Sequence, residues 1–173
     1  KMASAIESAH RARLVHRDIK PSNILITSFG APVLADFGIS SSLSRRAGEE
    51  VTAMSVPWSA PEVIDESTTG TVASEVWALG ATIYSLLAGH SPFERLERGQ
   101  NSREHLRRRI ARATYTPTNR PDAPAALQAA LARAMSRDPR QRFASALEFA
   151  EALRAVQFEQ GLPATPVEVA VDE

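Results

Sequence analysis

Met2, Ile6, Ala9 and Arg13 fall three to four residues apart, a spacing that predicts the end of an amphipathic helix over residues 2–14. The pattern then shortens to two apolar runs, Ile24-Leu25-Ile26 and Val33-Leu34-Ala35. Between them lies Ser28-Phe29-Gly30-Ala31-Pro32, rich in turn formers, so the pair predicts a small β-hairpin. Residues 38–60 show no period. They predict a long loop, with 40–53 as its least ordered part. From residue 72 to 89 the chain is apolar nearly all round, through Val76, Trp77, Leu79, Ile83, Tyr84, Leu86 and Leu87. The charge-free run from Val76 to Gly89 is 14 residues. A membrane span needs about 20, so this is expected to be a buried central helix, stopped by Pro92. Three further helices are predicted near 102–113, 123–135 and 144–156. The expected fold is mainly α, a helical bundle around the central helix with one β-hairpin. The tail from Gly161, with Pro163, Pro166 and an acidic end, reads as linker or disorder, so residues 158–173 are set apart from a domain over 1–157.

The length of 173 residues suits one compact domain, burying roughly 70% of its unfolded surface. Lys+Arg and Asp+Glu are both 20, which argues against a general nucleic-acid binder, since such domains are usually basic. There is no Cys, which excludes a disulfide framework and any thiolate metal site. A reducing compartment is compatible with this, and a cytoplasmic location is expected. Only Lys1 and Lys20 are lysines, and with the abundant Ala this suggests a GC-rich bacterial genome. The chain starts at Lys1, inside an apolar-periodic segment, and is expected to be part of a longer protein. No charged start is followed by an apolar run and cleavage site.

Three strings carry the chemistry. The first is His16-Arg17-Asp18-Ile19-Lys20-Pro21-Ser22-Asn23, the second Asp36-Phe37-Gly38 just after the hairpin, the third Ala60-Pro61-Glu62 at the close of the long loop. One such triplet alone is weak. The three together, in this order and context, resemble bacterial eukaryotic-like (Hanks-type) serine/threonine protein kinases, whose catalytic loop reads H-R-D-x-x-x-x-N. The resemblance covers about residues 1–157 and implies the C-terminal lobe of the α+β protein kinase fold.

It also implies ATP- and Mg²⁺-dependent transfer of a phosphoryl group to Ser/Thr hydroxyls of protein substrates. That reaction needs a carboxylate beside the attacking hydroxyl, a role that falls to Asp18. Mg²⁺ wants hard oxygen ligands, which Asp36 and Asn23 supply. Lys20 is placed to offset charge near the transferring phosphoryl. Arg17 is placed to pair with a phosphate on the long loop, with Thr52 or a nearby Ser as its carrier. Ser55 stands where the family usually has the Thr that contacts the catalytic Asp. His16 is expected to pack beneath the loop rather than to act as acid or base. Glu62 is expected to form a buried ion pair with Arg142, which follows Asp138-Pro139.

Two departures matter. The family's central helix begins Asp-x-Trp-x-x-Gly, its Asp receiving backbone N–H groups of the catalytic loop. Here Glu75-Val76-Trp77-Ala78-Leu79-Gly80 stands there, and one extra methylene is expected to displace or loosen the clasp. Met54 also precedes Ser55 where a Gly is usual. The larger departure is in the N-terminal lobe, which in the family carries G-x-G-x-x-G and a strand Lys. None of the eight glycines lies two residues from another, and neither lysine is free for that role. The N-terminal lobe is therefore expected to be missing from these residues. Two rival readings stand beside this one. One is a catalytically inactive lobe used as a binding scaffold. The other is an acidic-partner or nucleic-acid surface at Arg103, Arg107, Arg108, Arg109 and Arg112, whose blander reading is a solvated helix face with Glu104 and Arg108 paired at i, i+4.

Overall fold

The computed structural model describes residues 1–35 and 55–171. Asp36, Phe37, Gly38 and Thr52, and the ordering expected for 40–53, lie outside the described residues. The described part is mainly helical, as the apolar pattern predicts. Helix α1, Met2–Arg11, buries Ala3, Ile6 and Ala9 and ends three residues short of the expected boundary. Arg13 there takes a left-handed φ of 59°, which the helix cannot continue through. A 3-10 turn follows at Pro21–Asn23, with Pro in the first position, where its missing N–H is not needed.

Strand β1, Ile24–Ile26, pairs antiparallel with β2, Pro32–Leu34, in the register Ile24–Leu34, Leu25–Val33 and Ile26–Pro32. The second strand thus begins one residue earlier than predicted. With two strands in the sheet among the described residues, Pro32 lies at an edge, where its lack of a donor is tolerated. Gly30, at φ 77°, makes the turn, its N–H donating to the Thr27 carbonyl at 2.9 Å.

A 3-10 turn at Val56–Trp58 and a short helix α2, Pro61–Ile64, lead to the central helix α3, Val72–Ala88. Thr71 caps α3 through a reciprocal pair with Ser74: its hydroxyl accepts from Ser74 N–H at 3.1 Å, and Ser74 Oγ accepts from Thr71 N–H at 2.8 Å. The stop comes at Gly89 rather than at Pro92. Gly89 adopts φ 81° and donates to the Ser85 carbonyl at 2.9 Å, closing the helix three residues before the proline. Val76, Trp77, Leu79, Ala81 and Tyr84 of α3 are buried, but Leu86 is 64% exposed, so the helix is not covered all round near its end.

Helices α4 (Arg103–Arg112), α5 (Ala125–Ala134) and α6 (Ala146–Glu159) complete the bundle. α5 and α6 pack on α3 and on each other, and α6 packs on α1. Phe143 and Phe149 stack at 4.8 Å, and Trp77 and Phe93 at 5.6 Å, within one core around α3. After α6 the chain returns along α1. The Gln157 amide brackets Thr165, and Ala170 N–H donates to Ser8 Oγ at 2.9 Å. Among the described residues no helix is long and apolar enough to cross a membrane.

Candidate active site

The segment joining α1 to the hairpin carries the candidate groups. Its backbone is held from the first turn of α3. Glu75 Oε1 accepts from His16 N–H at 2.8 Å, and Oε2 accepts from Arg17 N–H at 2.9 Å. The extra methylene of Glu75 therefore does not open the clasp. Arg17 sits at φ 72°, a conformation that non-glycine residues keep only where their surroundings enforce it. His16 is fully buried. Its Nε2 meets the Ala35 carbonyl at 2.7 Å, and its Nδ1 accepts from Asp18 N–H at 3.1 Å. Because a backbone N–H can only donate, Nδ1 is the bare nitrogen, and the ring donates to Ala35. The imidazole thus ties the loop to the end of β2.

These restraints aim Asp18 at Lys20, Asn23 and Ser55. Ser55 Oγ donates to Asp18 Oδ1 at 2.7 Å and accepts from Lys20 Nζ at 3.1 Å. Lys20 Nζ also lies 3.6 Å from Asp18 Oδ2. Asn23 Nδ2 donates to the Asp18 carbonyl at 2.7 Å and to Asp18 Oδ2 at 3.1 Å. With its amide nitrogen committed to Asp18, Asn23 keeps its oxygen for other work. The Asp18 carboxylate offers about four acceptor positions, and these three neighbours leave room for one more donor. Asp18 remains partly exposed, with 31% of its side chain open, so that donor can come from solvent or a bound molecule.

The other expected residues sit around this cluster. Glu62 and Arg142 meet through both oxygens and both terminal nitrogens, at 2.6 and 3.0 Å. The Arg142 side chain is fully buried, also donates to the Ser136 and Ala73 carbonyls, and lies 5.0 Å over Trp77. The Arg17 side chain runs past Gly70, and its buried Nε meets no hydrogen-bond partner among the described residues. Asp36 and Thr52 lie outside the described residues. In the arginine-rich helix α4, Arg108 pairs with Glu104, Arg107 donates to the Ile64 carbonyl at 2.8 Å, and Arg109 donates to the Phe93 carbonyl at 2.6 Å. Arg107 and Arg109 are thereby bonded to distant backbone, whereas Arg108 and Glu104 pair on the exposed face of α4 as the i, i+4 spacing predicts.

Residues 1–156 match the protein kinase domain family. The chain belongs to that family. The serine/threonine-protein kinase PknK of Mycobacterium tuberculosis is 40% identical over 184 residues, an alignment covering 99% of this chain and 16% of that protein. The serine/threonine-protein kinase PknE of the same species is 31% identical over 157 residues, covering 90% of this chain and 27% of that protein. Human ribosomal protein S6 kinase alpha-4 is 32% identical over 160 residues, covering 91% and 20%. This kinase chain spans less than a third of the length of each of these relatives. Protein kinases of this family use ATP and Mg²⁺.

One residue of this kinase domain escapes the sequence reading. His10, in the last turn of α1, places Nε2 2.9 Å from Glu75 Oε1. No motif letter marks it, because the contact joins residues 65 apart.

Proposed function

We propose that the chain is the phosphoryl-transferring lobe of a protein serine/threonine kinase. The observation that carries this reading is the Asp18–Lys20–Asn23–Ser55 cluster on a loop clasped by Glu75. In the reaction the oxygen of a substrate hydroxyl attacks the γ-phosphorus of ATP. The bond from that phosphorus to the β-γ bridging oxygen breaks, and ADP departs. The hydroxyl proton passes to the open acceptor position on Asp18. Ser55 and Asn23 keep the carboxylate turned toward the hydroxyl, and Lys20 offsets the negative charge gathering between nucleophile and leaving group. Mg²⁺, when bound, neutralises the β and γ phosphates; the uncommitted Asn23 oxygen suits it, and Asp36 is the second ligand we assign.

The nucleotide needs a roof over its base and a clamp on its phosphates, for which these residues hold no Gly-rich loop and no spare lysine. We assign those parts to an N-terminal lobe encoded outside the 173 residues. Leu25, Ile26, Phe29 and Val33 expose apolar side chains along the hairpin, as a surface awaiting cover does. Residues 1–173 alone are expected to show no turnover above background, because positioning supplies nearly all the catalysis in this reaction class. A radiolabelled ATP assay tests this on the chain, on the full-length protein, and on full-length Asp18→Asn. Asp18-dependent turnover by the 173 residues alone would falsify the assignment of the missing parts. An inactive full-length protein that still binds a protein partner would favour the scaffold reading.

The Nε of Arg17 has no hydrogen-bond partner among the described residues, which favours its pairing with phosphorylated Thr52. Mass spectrometry after autophosphorylation is expected to find phosphate between Asp36 and Glu62. A clean absence there counts against the pairing.

A further inference from the structure

Residues 165–170 cross α1 in an extended course that the phosphoryl-transfer reading leaves unused. Thr165, Val167 and Val169 are half-buried, whereas Pro166, Glu168 and Ala170 are exposed, the two-residue alternation of a strand lying on a surface. The segment is pinned by its backbone. Ala170 N–H donates to Ser8 Oγ at 2.9 Å, and Glu168 N–H donates to Ser4 Oγ at 3.4 Å. N–H groups two residues apart in an extended chain repeat at about 6.6 Å. Residues one turn apart on a helix stand about 5–6 Å apart, so Ser4 and Ser8 match that repeat. Further back, Thr165 N–H donates to Gln157 Oε1 at 2.9 Å, and Gln157 Nε2 donates to Thr165 Oγ1 at 3.0 Å. Val167 packs against the core. Thr165, Pro166 and Val167 form one wall of a cavity of about 640 Å³, and Ile24, Ile26 and Pro32 of the hairpin line it as well.

We propose that residues 165–170 are a detachable strap: docked on α1 they brace the hairpin behind the catalytic loop, and released they let it loosen. For its effect on turnover the proposal rests on the kinase reading above. Two backbone bonds to serines, the Gln157 bracket and three half-buried side chains hold the docked state. These contacts offset little more than the entropy of fixing six residues. The strap therefore lies at the low end of local stability, where a modest pull or a competing segment shifts its occupancy. Its grip on α1 reads main chain alone, so the side chains of Glu168 and Ala170 are free to vary while their N–H groups are not. The hairpin follows the catalytic loop directly. Ile24 comes next after Asn23, whose amide holds Asp18. Without the strap Ile24 and Ile26 face an open cavity, and Asn23 inherits the slack.

The test uses the full-length protein. Glu168→Pro and Ala170→Pro each delete one donor while keeping an extended backbone and leaving α1 untouched, whereas Ala170→Ser keeps the donor. Val167→Asp removes the apolar anchor. In the wild type, hydrogen exchange of residues 165–170 is expected to be about tenfold slower than in a free peptide of that sequence. The double proline variant and Val167→Asp should each abolish that protection and speed exchange in hairpin residues 24–34. Both should lower kcat about fivefold with KM for ATP nearly unchanged, since small misplacements of a reacting group are costly. Ala170→Ser should change none of these. An excess of a synthetic peptide of residues 163–171, added to Val167→Asp, should restore hairpin protection and kcat. A wild-type tail that exchanges as fast as the free peptide, hairpin exchange unaltered by release, or no rescue by added peptide overturns the proposal. The proline variants alter only an exposed segment, so they decide the matter even where Val167→Asp does not fold. An inactive wild type sinks the kinase reading instead, and the hairpin exchange then still judges the strap.

Discussion

At the level of single residues, the Glu62–Arg142 pair shows how far a contact can lie from anything the chain spells out locally. The partners are 80 residues apart, and the guanidinium is fully buried. It came into view through the Ala60-Pro61-Glu62 motif and its likeness to a family, and no spacing rule reaches that distance. Removing one partner leaves a charge in the core with nothing to balance it, at a cost of about 3–5 kcal/mol. Arg142→Met and Glu62→Gln are each expected to lower the urea midpoint by that equivalent. The double variant should lose less than the sum, because the second change removes a charge already stranded. An additive result would show that the pair is not coupled. Asp18, Lys20 and Asn23 were legible because they lie within six residues. Ser55 required the family comparison, and His10 required the fold.

The elements themselves were mostly legible, and their ends were not. Period and apolar run locate α3, α4, α5, α6 and the hairpin. Their boundaries follow from backbone conformations that the pattern does not encode, as at Gly89, where a left-handed residue closes α3 ahead of the proline. The crossing of α3 and α5 is a second case. A Cβ added at Gly80 would lie 2.9 Å from Ala134 Cβ and 3.4 Å from Met135 Cγ. Ala134 ends at its Cβ and has no rotamer by which to yield, so the helices themselves would have to separate. Gly80→Ala is therefore expected to destabilise by about 1–3 kcal/mol through overpacking, despite the better helix propensity of alanine. Thermal denaturation checks it, and a Tm raised by the substitution would show that the crossing has slack.

Across the whole molecule, two phenols respond to alkaline pH. Burial pushes the Tyr115 hydroxyl from its ordinary value of 10.0 up to about 12, and the nearby Tyr84 adds to the shift. Tyr84 is itself raised by burial; it donates to the Thr116 carbonyl at 2.6 Å and meets Tyr115 edge to face at 5.4 Å. Both phenols stay neutral in the folded chain after their unfolded counterparts ionise. Between about pH 10 and 12 the unfolded state therefore binds fewer protons, and stability falls as pH rises. The contribution is fully present below pH 10. Urea midpoints at a series of pH values are expected to fall through that window. Tyr115→Phe should flatten the decline, and an unaltered decline would place its origin elsewhere.

The sequence by itself determined the helical class, the buried central helix, the hairpin and the order of the three motifs, because periodicity and short motifs are properties of neighbouring residues. Which side chains meet across the molecule was decided only by the tertiary structure. Glu75 reaches the loop despite its extra methylene because α1, the loop and the first turn of α3 are brought together around its carboxylate. Arg107 and Arg109 of α4 are likewise drawn onto the Ile64 and Phe93 carbonyls, which lie far from them along the chain. In each case the outcome depends on where distant backbone segments come to rest. Packing of the core around α3 fixes that, and no local pattern in the chain records it.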